Sequence, residues 1–311
     1  MNPKAELQPL ATVVDAGIAW PATGPRLRTH AHFALRQHLL LTKQLRHAIE
    51  SSELCLYYQP QYRSSDGSCC GVEALARWFP DGAEPVPPAV FVRHAEQSGL
   101  IGALGRWVLQ DACSTAATWR PPAGAPLTLS VNVSPHQIEA EFSEFLARTL
   151  ERTGFPAAQL ELEITEGILI EDPEFALECL AGWKQLGVRI AMDDFGCGYS
   201  NLSYLSRLPV DRLKIDRSLV CRMVTDRRTA AIVRTVIALG RDLGFAVLAE
   251  GVETEAQCEA LVRMGCEQMQ GFLFAPPLDA REVRLLLEGS AAGLPAATAL
   301  IPTMGGQLDA C

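Results

Sequence analysis

LELEITEGILIEDPEFALECLAGWKQLGVRIAMDDFGCGYS, residues 160–200, is the stretch whose reading decides the fold. It opens on one short apolar run, LELEIT, and ends on another, VRIAMDDFG, each of strand length. Between them Asp172-Pro173 has the chemistry of a helix start, an N-cap acid followed by proline at the first helical position. Gly187 stands just past the last apolar turn, where a helix stop belongs. Strand, helix and strand in this order argue for a parallel α/β arrangement.

The same alternation extends in both directions. LCLYYQPQY, CCGVEALARW, LTLSVNVS, RLKIDRS, FAVLAEGVE and CEQMQGFLF bring the strand candidates to eight. Ser134-Pro135 repeats the helix-start chemistry, and Thr254 with Gln257 has capping-box spacing before a stop at Gly265. Eight strands point to a closed (β/α)8 barrel of the TIM type, which needs roughly 250 residues. A doubly wound open sheet is the alternative, and it is weakened because no glycine-rich phosphate fingerprint follows the first strands. The barrel is expected over 51–288. Apolar spacing from Leu35 through Leu39, Thr42, Leu45 and Ile49 predicts an amphipathic helix over 35–50 leading into it. Residues 1–34, interrupted by Pro3, Pro9, Pro21 and Pro25, read as a poorly ordered leader, and 289–311 as a flexible tail.

Composition narrows the chemistry. The 311 residues are 48% hydrophobic and carry 36 acids against 27 bases, a net charge of -9. Such a surface disfavours DNA or RNA polymers, whereas a small phosphorylated ligand remains compatible if bound cations supply positive charge. MNPKAELQPL lacks the basic-then-apolar order of a secretory signal, and no stretch reads as a membrane span. The ten cysteines form no CxxC pair, which fits reduced thiols in a cytoplasmic protein.

Polar residues recur at the ends of successive strand candidates: Glu73, Asn132, Glu163, Asp193, Lys214 with Asp216, Glu250 and Gln270. In a barrel those ends converge on the face where catalytic residues collect. So many carboxylates share a site only with compensating cations. Carboxylates and an amide carbonyl are hard oxygen donors suited to Mg²⁺ or Mn²⁺. All six histidines lie at or before residue 136, which argues against a histidine-based zinc or iron site. Adjacent Asp193 and Asp194 suit the bridging of two cations, the arrangement used for in-line phosphoryl displacement. Lys214 points inward if Asp216 does, and is placed to balance charge or to help deprotonate a water.

Taken together these residues resemble the EAL-domain cyclic di-GMP phosphodiesterases. YYQP followed by EALARW, then NVS, EITE, DDFGCGYS, LKID, AEGVET and QGFLF in order carry the resemblance, over roughly Leu45 to Leu287. FVRHAEQSGLIGALGRWVLQDAC is similar to the long helical segment after the second strand. The resemblance implies a barrel whose first strand runs antiparallel to the rest. It implies that Glu73, Asn132, Glu163 and Asp193 hold one cation and that Asp193 bridges to a second surrounded by Asp194, Asp216 and Glu250. Glu73, Lys214 and Glu250 are the catalytic candidates, and Gln59, Arg77 and Gln270 the substrate-binding ones. The implied reaction opens cyclic di-GMP to linear pGpG, in a homodimer whose sensor or regulatory partner is unspecified.

Two features depart from the family pattern. Cys197 stands where threonine is usual, and its oxidation could displace the neighbouring acids. Arg93-His94 replaces a more apolar pair. Glu166, three residues after Glu163, is expected to anchor the loop 195–200 through hydrogen bonds. A non-catalytic receptor for cyclic di-GMP or a protein partner is the main alternative function, disfavoured because the acids and the lysine are all kept. An enolase-like proton-abstracting barrel is a second, disfavoured by the ordered motif set.

Overall fold

The computed structural model describes residues 25–289 apart from 52, 122–125, 166, 168–171, 197–204 and 206. Its strands are β1 (Leu54–Arg63), β2 (Cys69–Trp78), β3 (Thr128–Asn132), β4 (Leu160–Thr165), β5 (Arg189–Phe195), β6 (Arg212–Ile215), β7 (Ala246–Ala249) and β8 (Gln268–Gln270). They close in sequence order into a barrel. β1 pairs antiparallel with both β2 and β8, and every other neighbouring pair is parallel. The eight-stranded barrel with an antiparallel first strand is thus as the sequence indicated.

β4 shows how the sequence builds this wall. Leu160, Leu162 and Ile164 are fully buried in the hydrophobic cluster between strands and helices. Glu161 and Glu163 alternate with them and so face the lumen. β6 repeats the pattern, with Leu213 and Ile215 outward and Arg212 and Lys214 inward. The barrel interior is therefore polar at positions where most parallel strands carry aliphatic residues on both faces.

The helices are α1 (Pro25–Glu50), α2 (Pro88–Ser98), α3 (Ile101–Ala116), α4 (Ala140–Thr153), α5 (Pro173–Gln185), α6 (Arg217–Arg222), α7 (Arg227–Leu243), α8 (Glu255–Met264) and α9 (Ala280–Leu287). The Asp172 side chain accepts from the Phe175 N–H at 3.0 Å, as an N-cap should. The Thr254–Gln257 capping box and the left-handed Gly265 bound α8. Ser134 does form a capping box, but the turn it starts, Pro135–Gln137, is a single 3₁₀ turn.

Three expectations are revised. α1 begins at Pro25 rather than near residue 35, so the leader expected over 1–34 is partly helical. Pro25 is compatible with this because the N–H groups of the first helical turn have no intrahelical hydrogen bond to lose. The segment 91–113 is two helices rather than one, broken where Gly99 takes φ +70° and its N–H turns back to Ala95 and Glu96. β8 is only three residues long, because the chain turns away at Gly271, where a Cβ would lie 2.1 Å from the Val252 carbonyl oxygen. Among the described residues no helix is long and apolar enough to cross a membrane.

Candidate functional site

Each of the eight strands delivers one polar side chain toward one end of the barrel, and they meet around Lys214. This lysine is 0% exposed. Its Nζ lies 2.5 Å from Glu163 Oε2, 2.6 Å from Glu250 Oε1, 3.2 Å from Asp193 Oδ1 and 3.8 Å from Glu73 Oε2. Burial alone would lower the pKa of the ammonium, yet Glu163, Glu73, Glu250 and Asp193 together hold it well above the ordinary lysine value.

Amides complete the ring. Asn132 Nδ2 donates to Glu73 Oε1 at 2.7 Å, and Gln270 Nε2 donates to Glu73 Oε2 at 2.6 Å. Gln270 Nε2 also reaches Gln59 Oε1 at 3.1 Å, and Gln59 Nε2 donates to the Ala275 carbonyl at 3.4 Å. Register brings these residues level: Gln59 faces Glu73 across β1–β2, and Asn132 faces Glu163 across β3–β4.

The carboxylates are pushed apart electrostatically. Burial would raise Glu73, but Lys214 and the donors on Gln270 and Asn132 hold it below the usual carboxylate range. Glu163 is driven well above that range by burial and then by the negative charge of Glu73. Burial also pushes Glu250 up to about 8 against the pull of Lys214. These groups share one ammonium, so they titrate as a set.

Asp193 and Asp194 sit at an interruption of β5, where the pairing with β6 shifts between Met192 and Phe195. Asp194 takes φ +55°, a left-handed conformation found at no other described non-glycine residue, and its N–H donates to Asp193 Oδ1 at 3.0 Å. The bulge turns Asp194 away from the lumen position of Asp193. Burial, then the charges of Asp193 and Asp216, raise the Asp194 carboxyl. Asp216 follows β6 and caps α6, accepting from the Ser218 N–H at 2.8 Å.

Arg77 is placed apart from this cluster. Its Nη1 donates to the Ala76 carbonyl at 2.9 Å, and its guanidinium lies 6.0 Å from the centre of the Tyr57 ring. It lines a cavity of about 400 Å³ whose wall also includes Asn132. Glu166 and Cys197, with the rest of the loop from 197, lie outside the described residues.

The donor chemistry suits a hard cation. Glu73, Asn132, Glu163 and Asp193 offer only oxygen for ligation, and the fully buried Glu163 Oε1 has no hydrogen-bond partner among the described residues. The fit rests on that donor set, because among the described residues no three acids, cysteines or histidines close into a preformed cage. Lys214 stands where the acids converge.

The sequence reading missed two groups. Arg217, Glu253 and Phe272 line the mouth of a cavity of about 200 Å³ above Glu73, Asp193 and Glu250. Arg217 Nη2 meets Glu253 Oε1 at 2.7 Å, and Phe272 is 61% exposed. The nearby AEGVE run, with Gly251 at φ +63°, was the available signal. The second group lies two residues below the site along the strands. Arg212 Nη1 donates to Glu161 Oε1 at 2.6 Å and to Gln61 Oε1 at 3.1 Å, while Ser130 Oγ donates to Glu161 at 2.9 Å.

Fold and site together define an α/β barrel with a carboxylate-rich mouth built around one buried lysine. The chain belongs to the EAL domain family, which matches residues 42–277. It is 45% identical over 78% of its length to a signalling protein of Caulobacter vibrioides, of which it covers 30%. It is 40% identical over 80% of its length to MucR of Pseudomonas aeruginosa, a bifunctional diguanylate cyclase/cyclic di-GMP phosphodiesterase, of which it covers 36%. The chain thus spans about a third of the length of these curated relatives. A solved structure of the MucR phosphodiesterase in complex with cyclic di-GMP superposes with a TM-score of 0.75 at 40% identity, covering 78% of this chain and 99% of that one.

Proposed function

We propose that this chain is a metal-dependent phosphodiesterase that hydrolyses cyclic di-GMP to linear pGpG. The carrying observation is the buried Lys214 ammonium held by Glu163, Glu250, Asp193 and Glu73 in one oxygen-rich mouth. Homology to MucR, and to the cyclic di-GMP phosphodiesterase PdeR of Escherichia coli at 37% identity, supports the substrate.

The ligands assigned are Glu73, Asn132, Glu163 and Asp193 for one divalent cation and Asp193, Asp194, Asp216 and Glu250 for a second, with Mg²⁺ or Mn²⁺ the ions. When bound, such cations would polarise a phosphodiester and lower the pKa of a water. The chain's own residues do the rest. Lys214 offsets the acids and is close enough to Asp193 and Glu250 to orient a water between them. Gln59 and Gln270, already bonded to one another, present an amide edge to substrate. Arg77 approaches a phosphate oxygen from the adjoining cavity. The water oxygen bonds to phosphorus in line as the P–O3′ bond breaks, a proton of that water ends on the departing 3′ oxygen as its hydroxyl, and the ring opens.

The proposal includes a homodimer acting in the cytoplasm, a reading that the EAL family match and the free cysteines support. Incubation with cyclic di-GMP and Mg²⁺ or Mn²⁺, followed by chromatography, tests the activity. Linear pGpG is expected. Intact ligand retained by the protein would make it a receptor, and neither product nor binding would remove the substrate assignment.

A further inference from the structure

Asn132 is the last residue of β3, and among the described residues one hydrogen bond, to Glu73, engages its side chain. Its exposed amide is therefore aimed chiefly by the backbone that follows. Val133 N–H donates to the Glu163 carbonyl at 2.8 Å, which ties this backbone to β4. Ser134 is held from two more directions. Its N–H donates to Gln137 Oε1 at 3.1 Å, and its Oγ donates to Glu96 Oε1 of α2 at 2.8 Å. Gln137 in turn lies on Gly105 of α3, where a Cβ would come 1.9 Å from Nε2. Glu96 has no ion-pair partner among the described residues, and Ser134 is the hydrogen-bond partner its carboxylate has there.

We propose that Glu96 is a positioning residue for Asn132: by holding Ser134 it fixes where the Asn132 amide stands relative to Glu73 and the cation site. Glu96 touches no reacting atom. It is half-buried in the wall of the cavity that Asn132 and Arg77 share, so a carboxylate there has a specific role rather than solvation alone. Partners of this kind around a metal ligand are worth about 10–100-fold in metal affinity. The inference rests on the assignment of Asn132 as a ligand, and the test separates the two.

The first readout is metal-free: the side-chain amide NMR signal of Asn132. Glu96→Ala moves this signal, and Glu96→Gln, whose amide oxygen still accepts from Ser134, leaves it near the wild-type position. The second readout is Mn²⁺ binding followed by electron paramagnetic resonance. Glu96→Ala weakens binding about 10-fold or more, Glu96→Gln restores it, and Glu96→Ala with Asn132→Ala is no weaker than Asn132→Ala alone, as residues acting in one chain require. A wild-type protein that binds no Mn²⁺ would sink the metal assignment while the Asn132 signal still decides the role of Glu96. Should Glu96→Ala fail to fold, Ser134→Ala removes the same hydrogen bond from the other side and must move the same signal. An Asn132 signal unmoved by loss of this bond, or additive losses of Mn²⁺ affinity, overturns the proposal.

Discussion

Replacing Lys214 by methionine is the most informative single change, because its consequences follow from electrostatics before any chemistry is considered. Methionine fills nearly the same space, so packing is preserved and the lost quantity is one positive charge. Four carboxylates then face one another, within 4 Å of where the ammonium stood. Breaking a buried pair by removing one partner costs about 3–5 kcal/mol. A domain of this size loses about 2–4 °C of Tm per kcal/mol, so the metal-free variant should melt about 6–20 °C below wild type. Two agents should restore it. Divalent cations replace the missing charge, so saturating Mg²⁺ should recover more of the variant's Tm than of the wild type's. Protons do the same: Glu163 and Glu250, already raised by burial, will take them up first. The gap between variant and wild type should narrow as pH falls.

The assay is a thermal melt of both proteins in EDTA and in Mg²⁺ at several pH values, with turnover of cyclic di-GMP measured alongside. The variant should be inactive even where its melt is rescued. An EDTA melt equal to wild type would refute the reasoning, since it would mean the acids carry no net charge that Lys214 needs to offset.

Glu73→Ala should abolish hydrolysis while leaving the barrel folded, because it removes both the carboxylate and the anchor of Asn132 and Gln270; near-normal turnover of a metal-saturated, folded variant would count against it. Mg²⁺ or Mn²⁺ should support activity and Ca²⁺ should do so poorly, because Ca²⁺ prefers longer bonds and more ligands; equal initial rates would mean a looser site. His94 supplies a pH test. It is buried, its Nε2 lies 2.9 Å from Thr42 Oγ1 of α1, and burial followed by the neighbouring His38 lowers its pKa. Because the folded value is the lower one, the unfolded chain binds more protons just below pH ~6.5, and stability falls as pH drops through that window. Because the raised Glu163 and Glu250 carboxyls add a slope of opposite sign to both proteins, the test is the difference: from pH 8 to 5 wild type should lose stability relative to His94→Leu.

How much of this was legible beforehand depended on chain geometry. Helix starts at Asp172 and Thr254 were readable because a cap is a local event, decided within four residues. The division of 91–113 was hidden, since Gly99 interrupts a continuous apolar pattern and only its left-handed backbone breaks it. The convergence of Glu73, Asn132, Glu163, Asp193, Lys214, Glu250 and Gln270 was readable because a barrel forces strand ends together. Glu73 is the exception: it lies in the middle of the ten-residue β2, and reaches the same level because that strand extends well past its neighbours. The separation of Arg77 from the cluster was not readable, since the same alternation that points it inward says nothing of the Tyr57 ring that holds it aside.

The lower polar layer explains why the upper one can exist. Gln61, Ser130, Glu161 and Arg212 each precede or follow a site residue by two positions, so the same alternation that sends Gln59, Asn132, Glu163 and Lys214 inward sends these inward too. On β4 and β6 the result is one acid–base pair above another, Glu163–Lys214 over Glu161–Arg212, each spanning the lumen past β5. β5 has Ala191 between them, small enough to let the long side chains meet. β2 has Gly71 beneath Glu73, and a Cβ there would stand 2.5 Å from Gln61 Oε1. The lower level sets one acid against one base and leaves no acid in excess, whereas the upper level crowds four carboxylates on one ammonium. That imbalance is confined to the mouth, and a barrel whose floor is already neutral can concentrate its uncompensated negative charge where a cation can enter.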